Sequence, residues 1–288
     1  MEERKFYYAA CSGGKDSIAT VILAREHGEP LDEVVFAEVM FDENTSAEIP
    51  EHVEFVREKA FPRFEKWGIK TRIVRSPDKT AKSYFFSKTV RGKREGRPHG
   101  FPSMGMCAVQ RDCKLRPMRD YEASIAAEHG ELGLVKYLGI AADEPKRLAR
   151  LDGERKVSLL AKYGVTEADA FELCRQYDLL SPCYAWSGRG GCFFCPAAKG
   201  AELFNTATAH ADLWAELLAM EQTPELINPF WNNAARVKFS DWDRVFRRGK
   251  PHGGAWHRPY PSDDDAQMEL GIEAESACLA ADDVCRFV

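Results

Sequence analysis

No stretch of this chain approaches the roughly 20 consecutive apolar residues that a membrane-spanning helix needs. No apolar signal core is present either, because Met1-Glu-Glu-Arg-Lys5 runs straight into an apolar segment. The expectation is a cytoplasmic protein. Internal repeats are also missing, which sets aside an array of small modules. Positive charge is not in excess: 40 Lys and Arg against 45 Asp and Glu leave a formal charge of -5, which argues against blanket nucleic-acid binding. The nine cysteines are not expected to form a disulfide framework in a cytosolic chain.

What remains is ordinary in bulk. A length of 288 residues can bury a large core, and 44% hydrophobic with 30% charged residues suits a folded globular protein. Within the acidic total, cations gather at Lys88–Arg97, Arg111–Arg119, Lys146–Arg150 and Arg244–Lys250. Such clusters point to an anionic substrate, either a nucleotide or an RNA.

The most informative stretch is Cys11-Ser12-Gly13-Gly14-Lys15-Asp16-Ser17. It follows the apolar, aromatic run Phe6 to Ala10, which reads as a buried strand. It precedes Ile18 to Arg25, apolar at helical spacing, with Gly28 as a stop. A strand, a glycine turn and a helix start make an anion site. Two glycines let the backbone approach a phosphate, and the first helical N–H groups have no intrahelical partner. Those donors, the helix dipole and the Lys15 ammonium favour a polyphosphate. Ser12 and Ser17 add hydroxyls, and Asp16 caps the helix or helps hold a magnesium ion. The string is not a Walker loop, which separates its first glycine from a Gly-Lys pair by four residues.

Val34 to Phe41 reads as a second strand ending at Asp42, on the same edge as the glycine loop. The Asp42 carboxylate either meets a ribose or adenine edge or caps the next helix. Residues 46 to 67 have a helical apolar face, with Pro62 placed to kink or split it. Thr71 to Arg75 is a third strand, and 77 to 105 a long basic loop expected to cover the nucleotide or touch a second substrate. Leu115 to His129 reads as a helix stopped by Gly130, and Leu134 to Ala141 as a fourth strand. This alternation predicts an α/β fold with a doubly wound, mostly parallel sheet. Beyond Val157 strands cease. Thr166 to Asp169 resembles a capping box opening a helix from Ala168 to Tyr177, and Ala201 to Glu221 reads as one long helix. The expected division is therefore 1–157, a nucleotide-binding α/β domain, and 158–288, a helical and irregular C-terminal region.

Two cysteine pairs stand out: Cys107-x5-Cys113, and Cys192-x2-Cys195 within Arg189-Gly-Gly-Cys-Phe-Phe-Cys-Pro196. Two remote pairs suit tetrahedral sulfur coordination, meaning zinc or an iron–sulfur centre. Cys11, Cys174 and Cys183 read as small core residues.

The Ser12-Gly-Gly-Lys-Asp-Ser17 string resembles the PP-loop of the ATP pyrophosphatase (adenine nucleotide alpha-hydrolase-like, HUP-like) superfamily, whose members cleave ATP between its α and β phosphates. Cys113-Lys-Leu-Arg-Pro117 and Gly191-Cys192-x2-Cys195 are similar to the cysteine segments of adenylyl-sulfate reductases, in the phosphoadenosine phosphosulfate (PAPS) reductase family. Gly139-Ile-Ala-Ala-Asp143-Glu144-x2-Arg147 resembles that family's second signature loop, where an arginine meets the nucleotide's anionic end. The resemblance spans roughly residues 6 to 196 and implies nucleotide binding by Gly139, Asp143 and Arg147. It also implies a 4Fe-4S cluster on Cys107, Cys113, Cys192 and Cys195. The reductases have adjacent cysteines where this chain has Cys107-x5-Cys113, which keeps zinc open. They also end in a Glu-Cys-Gly-Leu-His segment that is missing here. Cys278 or Cys285, in an acidic tail, would have to replace its cysteine.

The reductases' loop usually lacks the lysine that Lys15 supplies here. Lys15, Asp16 and Ser17 together match relatives that consume ATP with Mg²⁺. The expected function is thus an ATP-dependent, adenylating sulfur transfer onto a nucleic acid such as tRNA, or onto a nucleotide. A sulfonucleotide reductase is the alternative, and an ATP-binding protein with a structural metal is the third. A sulfur-donor protein and self-association are left open. Aromatic and basic residues between Phe230 and Arg258, including Trp231, Arg236, Trp242, Arg247 and Trp256, either stack bases or pack the C-terminal segment onto the core.

Overall fold

A computed structural model of the chain describes residues 5–105, 107–130 and 133–249. Trp256, Cys278, Cys285 and the acidic tail fall outside the described residues.

Five strands form one sheet: β1 (Phe6–Ala10), β2 (Glu33–Ala37), β3 (Lys70–Val74), β4 (Leu134–Leu138) and β5 (Lys156–Val157). Their order is β3-β2-β1-β4-β5. Every pairing is parallel, with Tyr8 opposite Glu33 on one side of β1 and opposite Lys136 on the other. The chain leaves β1 toward β2 on one flank and returns to β4 on the other. The carboxyl ends of β1 and β4 therefore face a topological switch point, where doubly wound sheets take ligands. Helices cover both faces, so the predicted α/β class holds.

On one face lie α1 (Lys15–Glu26) and α2, which is α-helical over Pro50–Glu54, π-helical over Phe55–Ala60 and α-helical again over Phe61–Lys66. The expected break at Pro62 does not occur. Phe61 N–H instead donates to Val56 across a wider turn, one residue before the proline. A proline ring clashes with the carbonyl four residues back, and the wider turn relieves that clash. The same device precedes Pro117 in α4, which runs from Ala108–Gln110 through a π segment at Arg111–Leu115 into Arg116–His129. α4 covers the other face, where Met118 and Tyr121 pack on Tyr8, Ala10, Val35, Leu138 and Ile140.

Several boundaries differ from expectation. β2 ends at Ala37, because Val39 and Phe41 turn into a second core, and Met40 instead bridges to Ser46. β4 stops at Leu138, ahead of the Gly139 turn. Residues 77–105 are not a loose cover: α3 (Ala81–Phe86) and a fold-back bridging Lys88 to Pro98 bury Phe85 and Phe101. The helix expected over 201–221 is two, α8 (Gly200–Ala209) and α9 (Ala211–Glu221), parted at His210, whose φ of -131° and ψ of 59° leave the helical region.

After β5, the short helix α6 (Leu159–Lys162) and α7 (Glu167–Gln176) follow, α7 opened by the predicted Thr166–Asp169 capping box. Both pack with α1, so Leu159, Leu160, Ala170, Cys174 and Leu179 share its core. The second core is aromatic. It joins Phe41, Phe85 and Phe101 to Phe193, Phe194, Trp214, Trp231, and Phe239 and Trp242 of α10 (Phe239–Arg247). Trp231 and Trp242 are each 1% exposed, which favours the packing role for these two tryptophans. Among the described residues no helix is long and apolar enough to cross a membrane.

Candidate functional site

The glycine loop sits between β1 and α1 at the switch point. Gly13 has a φ of +76°, and a Cβ there would lie 2.5 Å from Val56 Cγ2 and 2.9 Å from His52 Nε2. Glycine is therefore required both by conformation and by space. Ser12 N–H donates to Ser17 Oγ (3.1 Å), and Ser17 Oγ–H donates to the Gly14 carbonyl (2.8 Å). The buried Ser17 hydroxyl thus braces the loop from inside rather than facing outward. Ser12 Oγ accepts from Gly14 N–H at 3.4 Å. Gly139 serves the same architecture: a Cβ there would lie 2.6 Å from the Asp16 carbonyl carbon and from Ser17 N. Its smallness lets the end of β4 touch the start of α1.

Lys15 is already engaged. Its ammonium lies 2.8 Å from Asp16 Oδ1 and 3.5 Å from Glu167 Oε2. Burial pushes the Asp16 carboxyl up, opposed by the Lys15 ammonium, with Glu167 and Glu144 adding to the rise. Arg147 pairs with Glu144, and Asp143 Oδ1 accepts from Glu167 N–H at 3.1 Å, capping α7. These residues of the second predicted loop thus meet Lys15 and Asp16 at one edge. Asp42 is committed elsewhere, accepting from Thr45 N–H (2.8 Å) and Asn44 N–H (3.1 Å) and pairing with Lys82 (3.2 Å).

Two residues that the sequence did not single out complete the loop. His52, 1% exposed, donates from Nε2 to the Ser12 carbonyl (2.8 Å) and accepts at Nδ1 from Ser181 Oγ–H (2.9 Å). Its ring fills the space against Gly13, and also against Gly190, whose Cβ would lie 2.6 Å from Nε2. Burial holds the His52 pKa below its ordinary value, so the neutral ring is favoured. Tyr184 accepts the Lys15 N–H at 3.0 Å, occupying one of the donors at the start of α1. A histidine early in a helix and a tyrosine in a loop carry no spacing pattern. Only the fold reveals their partners.

The cysteines lie on the other side of His52. Segment 191–193 pairs with 47–49, Ile49 N–H donating to Gly191 (2.9 Å) and Phe193 N–H to Ala47 (2.9 Å). Cys192 and Cys195 close a tight turn, Cys195 N–H donating to the Cys192 carbonyl at 3.0 Å, and Trp231 Nε1–H pins the Cys195 carbonyl at 2.8 Å. Cys107 caps the first turn of α4, its Sγ accepting from Gln110 N–H. Cys113 is 1% exposed in the π segment. All four belong to the aromatic core, and Cys107 is close enough to interact electrostatically with each of the other three. Burial pushes the Cys113 thiol up to about 12 and raises Cys107 and Cys192 as well.

As donors the four thiols fit a sulfur-ligated centre in kind and in neighbourhood. Their arrangement is less closed: among the described residues no group of three or more His, Cys, Asp or Glu side chains is placed to hold a metal ion. Cys11, Cys174 and Cys183 are buried, Cys174 donating to the Lys15 carbonyl at 3.1 Å, as core residues should be.

No protein-family model matches the chain, and no curated protein matches it. Among solved structures it aligns with the U34-tRNA thiolase NcsA from Methanococcus maripaludis with its 4Fe-4S cluster, at 13% identity over 91% of this chain and 79% of that chain. The TM-score of 0.37 makes this a distant likeness.

Proposed function

We propose that this protein is an ATP-dependent sulfur-transfer enzyme that adenylates an oxygen of a nucleic acid or nucleotide and releases pyrophosphate. One observation carries the reading. The buried His52 ring bonds the Ser12 carbonyl of the glycine loop at the β1–β4 switch point and also packs against Gly190, two residues before the Cys192-x2-Cys195 turn.

The chemistry follows from the residues. ATP would bind with its phosphates over Ser12–Ser17, taking the donor at Lys15 N–H that Tyr184 now uses. Lys15 would turn from Asp16 and Glu167 to the β and γ phosphates and stabilise charge growing on the departing pyrophosphate. Asp16, released from Lys15, would help hold Mg²⁺. An acceptor carbonyl oxygen attacks the α-phosphorus as the bond to the β-bridging oxygen breaks. A sulfide then forms a C–S bond while the C–O bond breaks and AMP leaves with the oxygen. Arg147, which pairs with Glu144, would meet an anionic group of the nucleotide. Gly139 keeps β4 against the loop, and Asp143 holds α7 in place. Cys107, Cys113, Cys192 and Cys195 would hold an iron–sulfur centre or zinc, and an iron–sulfur centre there would supply or hold the sulfur that is moved.

The test is pyrophosphate release from ATP by the full chain with total tRNA or other RNA added. RNA-stimulated release that vanishes in Lys15→Ala is expected. Release that persists in Lys15→Ala, or none with any nucleic acid or nucleotide, overturns the reading. Metal analysis of anaerobically purified protein separates a brown iron–sulfur form from colourless zinc. Sulfite formation from adenylyl sulfate with thioredoxin would favour a sulfonucleotide reductase instead.

A further inference from the structure

One face of the sheet is covered unevenly. α4 lies across it from β3 toward β4, but the connection from β4 to β5 contains only the one-turn helix α5 (Pro145–Leu148). The outer half of this face therefore stays open as a cleft of about 460 Å³ between α4 and residues 147–156. That volume lies within the range of small-ligand sites.

The cleft has two chemistries. Its floor is apolar, with Met118 on α4 facing Leu138 and Ile140 of β4 and its turn. Its rim is cationic. Lys136 is matched by Glu122 at 3.0 Å, and Arg147 by Glu144. Arg119, Arg150 and Lys156 line the rim with no ion pair among the described residues. In a chain of net charge -5, three cations without an ion pair among the described residues, around one apolar hollow, are a local reversal of sign. A bare inorganic anion would leave the floor wet, and an acidic side chain has no flat apolar body to bury. A ring bearing a phosphate satisfies both parts.

We propose that this cleft binds a single nucleotide unit, base against Met118, Leu138 and Ile140, and phosphate toward Arg119, Arg150 and Lys156. It is separate from the glycine loop, although a small hollow of about 30 Å³ beside Ser12 shares Leu115, Met118 and Lys136 with it. The two would therefore abut. For its role, as the pocket that takes the acceptor nucleotide, the proposal rests on the adenylating reading. For binding it rests on the cleft alone.

Calorimetric titration of the full chain with AMP, adenosine and a single-stranded oligoribonucleotide tests it. The variant is the exposed pair Arg119→Glu/Arg150→Glu. Charge reversal should weaken AMP or oligonucleotide binding at least about tenfold, with circular dichroism unchanged, and leave adenosine within about twofold. Loss of AMP affinity identifies a free nucleotide as the ligand, and loss confined to the oligonucleotide identifies a unit within a strand. Binding unaffected by charge reversal, or absent from the wild type for both phosphorylated probes, overturns the proposal. Pyrophosphate release is read separately. Its absence beside intact cleft binding removes the assigned role and not the site.

Discussion

At the glycine loop, neighbours in sequence hold each other. Ser12, Gly14 and Ser17 interlock within six residues, and His52 and Tyr184 clasp the turn from outside at 2.8 Å and 3.0 Å. At the cysteine cluster nothing comparable among the described residues links the partners directly. Cys107 and Cys113 ride on α4, Cys192 and Cys195 on a turn tied to residues 47–49, and the two segments meet because Phe41, Phe85, Phe193, Trp231 and Phe239 pack between them. The first region is specified by backbone hydrogen bonding over a short span. The second is specified by aromatic burial across most of the chain. The difference teaches where each should fail: the loop to a single methyl group, the cluster to a cavity.

Four changes probe this contrast, from the largest effect to the smallest. Trp231→Ala removes a 1% exposed indole and its hydrogen bond to Cys195, and should cost about 3–5 kcal/mol in chemical denaturation. It should also lower any bound iron or zinc, and metal retained in full would mean that the cysteine turn does not depend on the aromatic core. Gly13→Ala sets a methyl 2.5 Å from Val56 at a φ of +76° and should cost about 2 kcal/mol. A neutral result by the same denaturation would show that the loop yields more readily than its contacts imply.

The third change concerns proton linkage. His52 is held neutral, with its folded pKa below the ordinary 6.5. The unfolded chain therefore takes up a proton first as pH falls below about 6.5, and stability drops through that window while remaining full above it. The loss between pH 7.5 and pH 5.5 should be greater in the wild type than in His52→Gln, whose side chain does not titrate. Equal losses would remove His52 from the linkage. Smallest of all, Tyr184→Phe deletes one hydrogen bond to Lys15 N–H and should change stability by only about 1 kcal/mol. Titration with ATP should show tighter binding, because the hydroxyl no longer competes for that donor; weaker binding would mean the tyrosine supports the ligand.

The same contrast explains what could be read in advance. The strand, glycine turn and helix were legible because the pattern and the contacts both lie within residues 6–26. The capping box at Thr166 was legible for the same reason. The end of β2 was not, since Val39 and Phe41 continue the apolar run while serving a different core. Nor was the break at His210, where no glycine or proline marks the change and the ring instead meets Glu51 at 3.1 Å. The pairing of the cysteine segments was suggested by residue type. Their common neighbours, and the incomplete closure of the four sulfurs, depend on packing that no local spacing encodes.

The two wide turns that precede Pro62 and Pro117 have a mechanical corollary. One surplus residue in a helical turn rotates everything downstream by about 100° relative to everything upstream. In α2 this offset lets His52 point at the loop while Phe61 and Phe64 point into the sheet core. In α4 it sets the azimuth of Cys113 apart from that of Met118 and Tyr121. Excising one residue from either turn would leave a regular helix of nearly the same length whose two halves could no longer both face their partners.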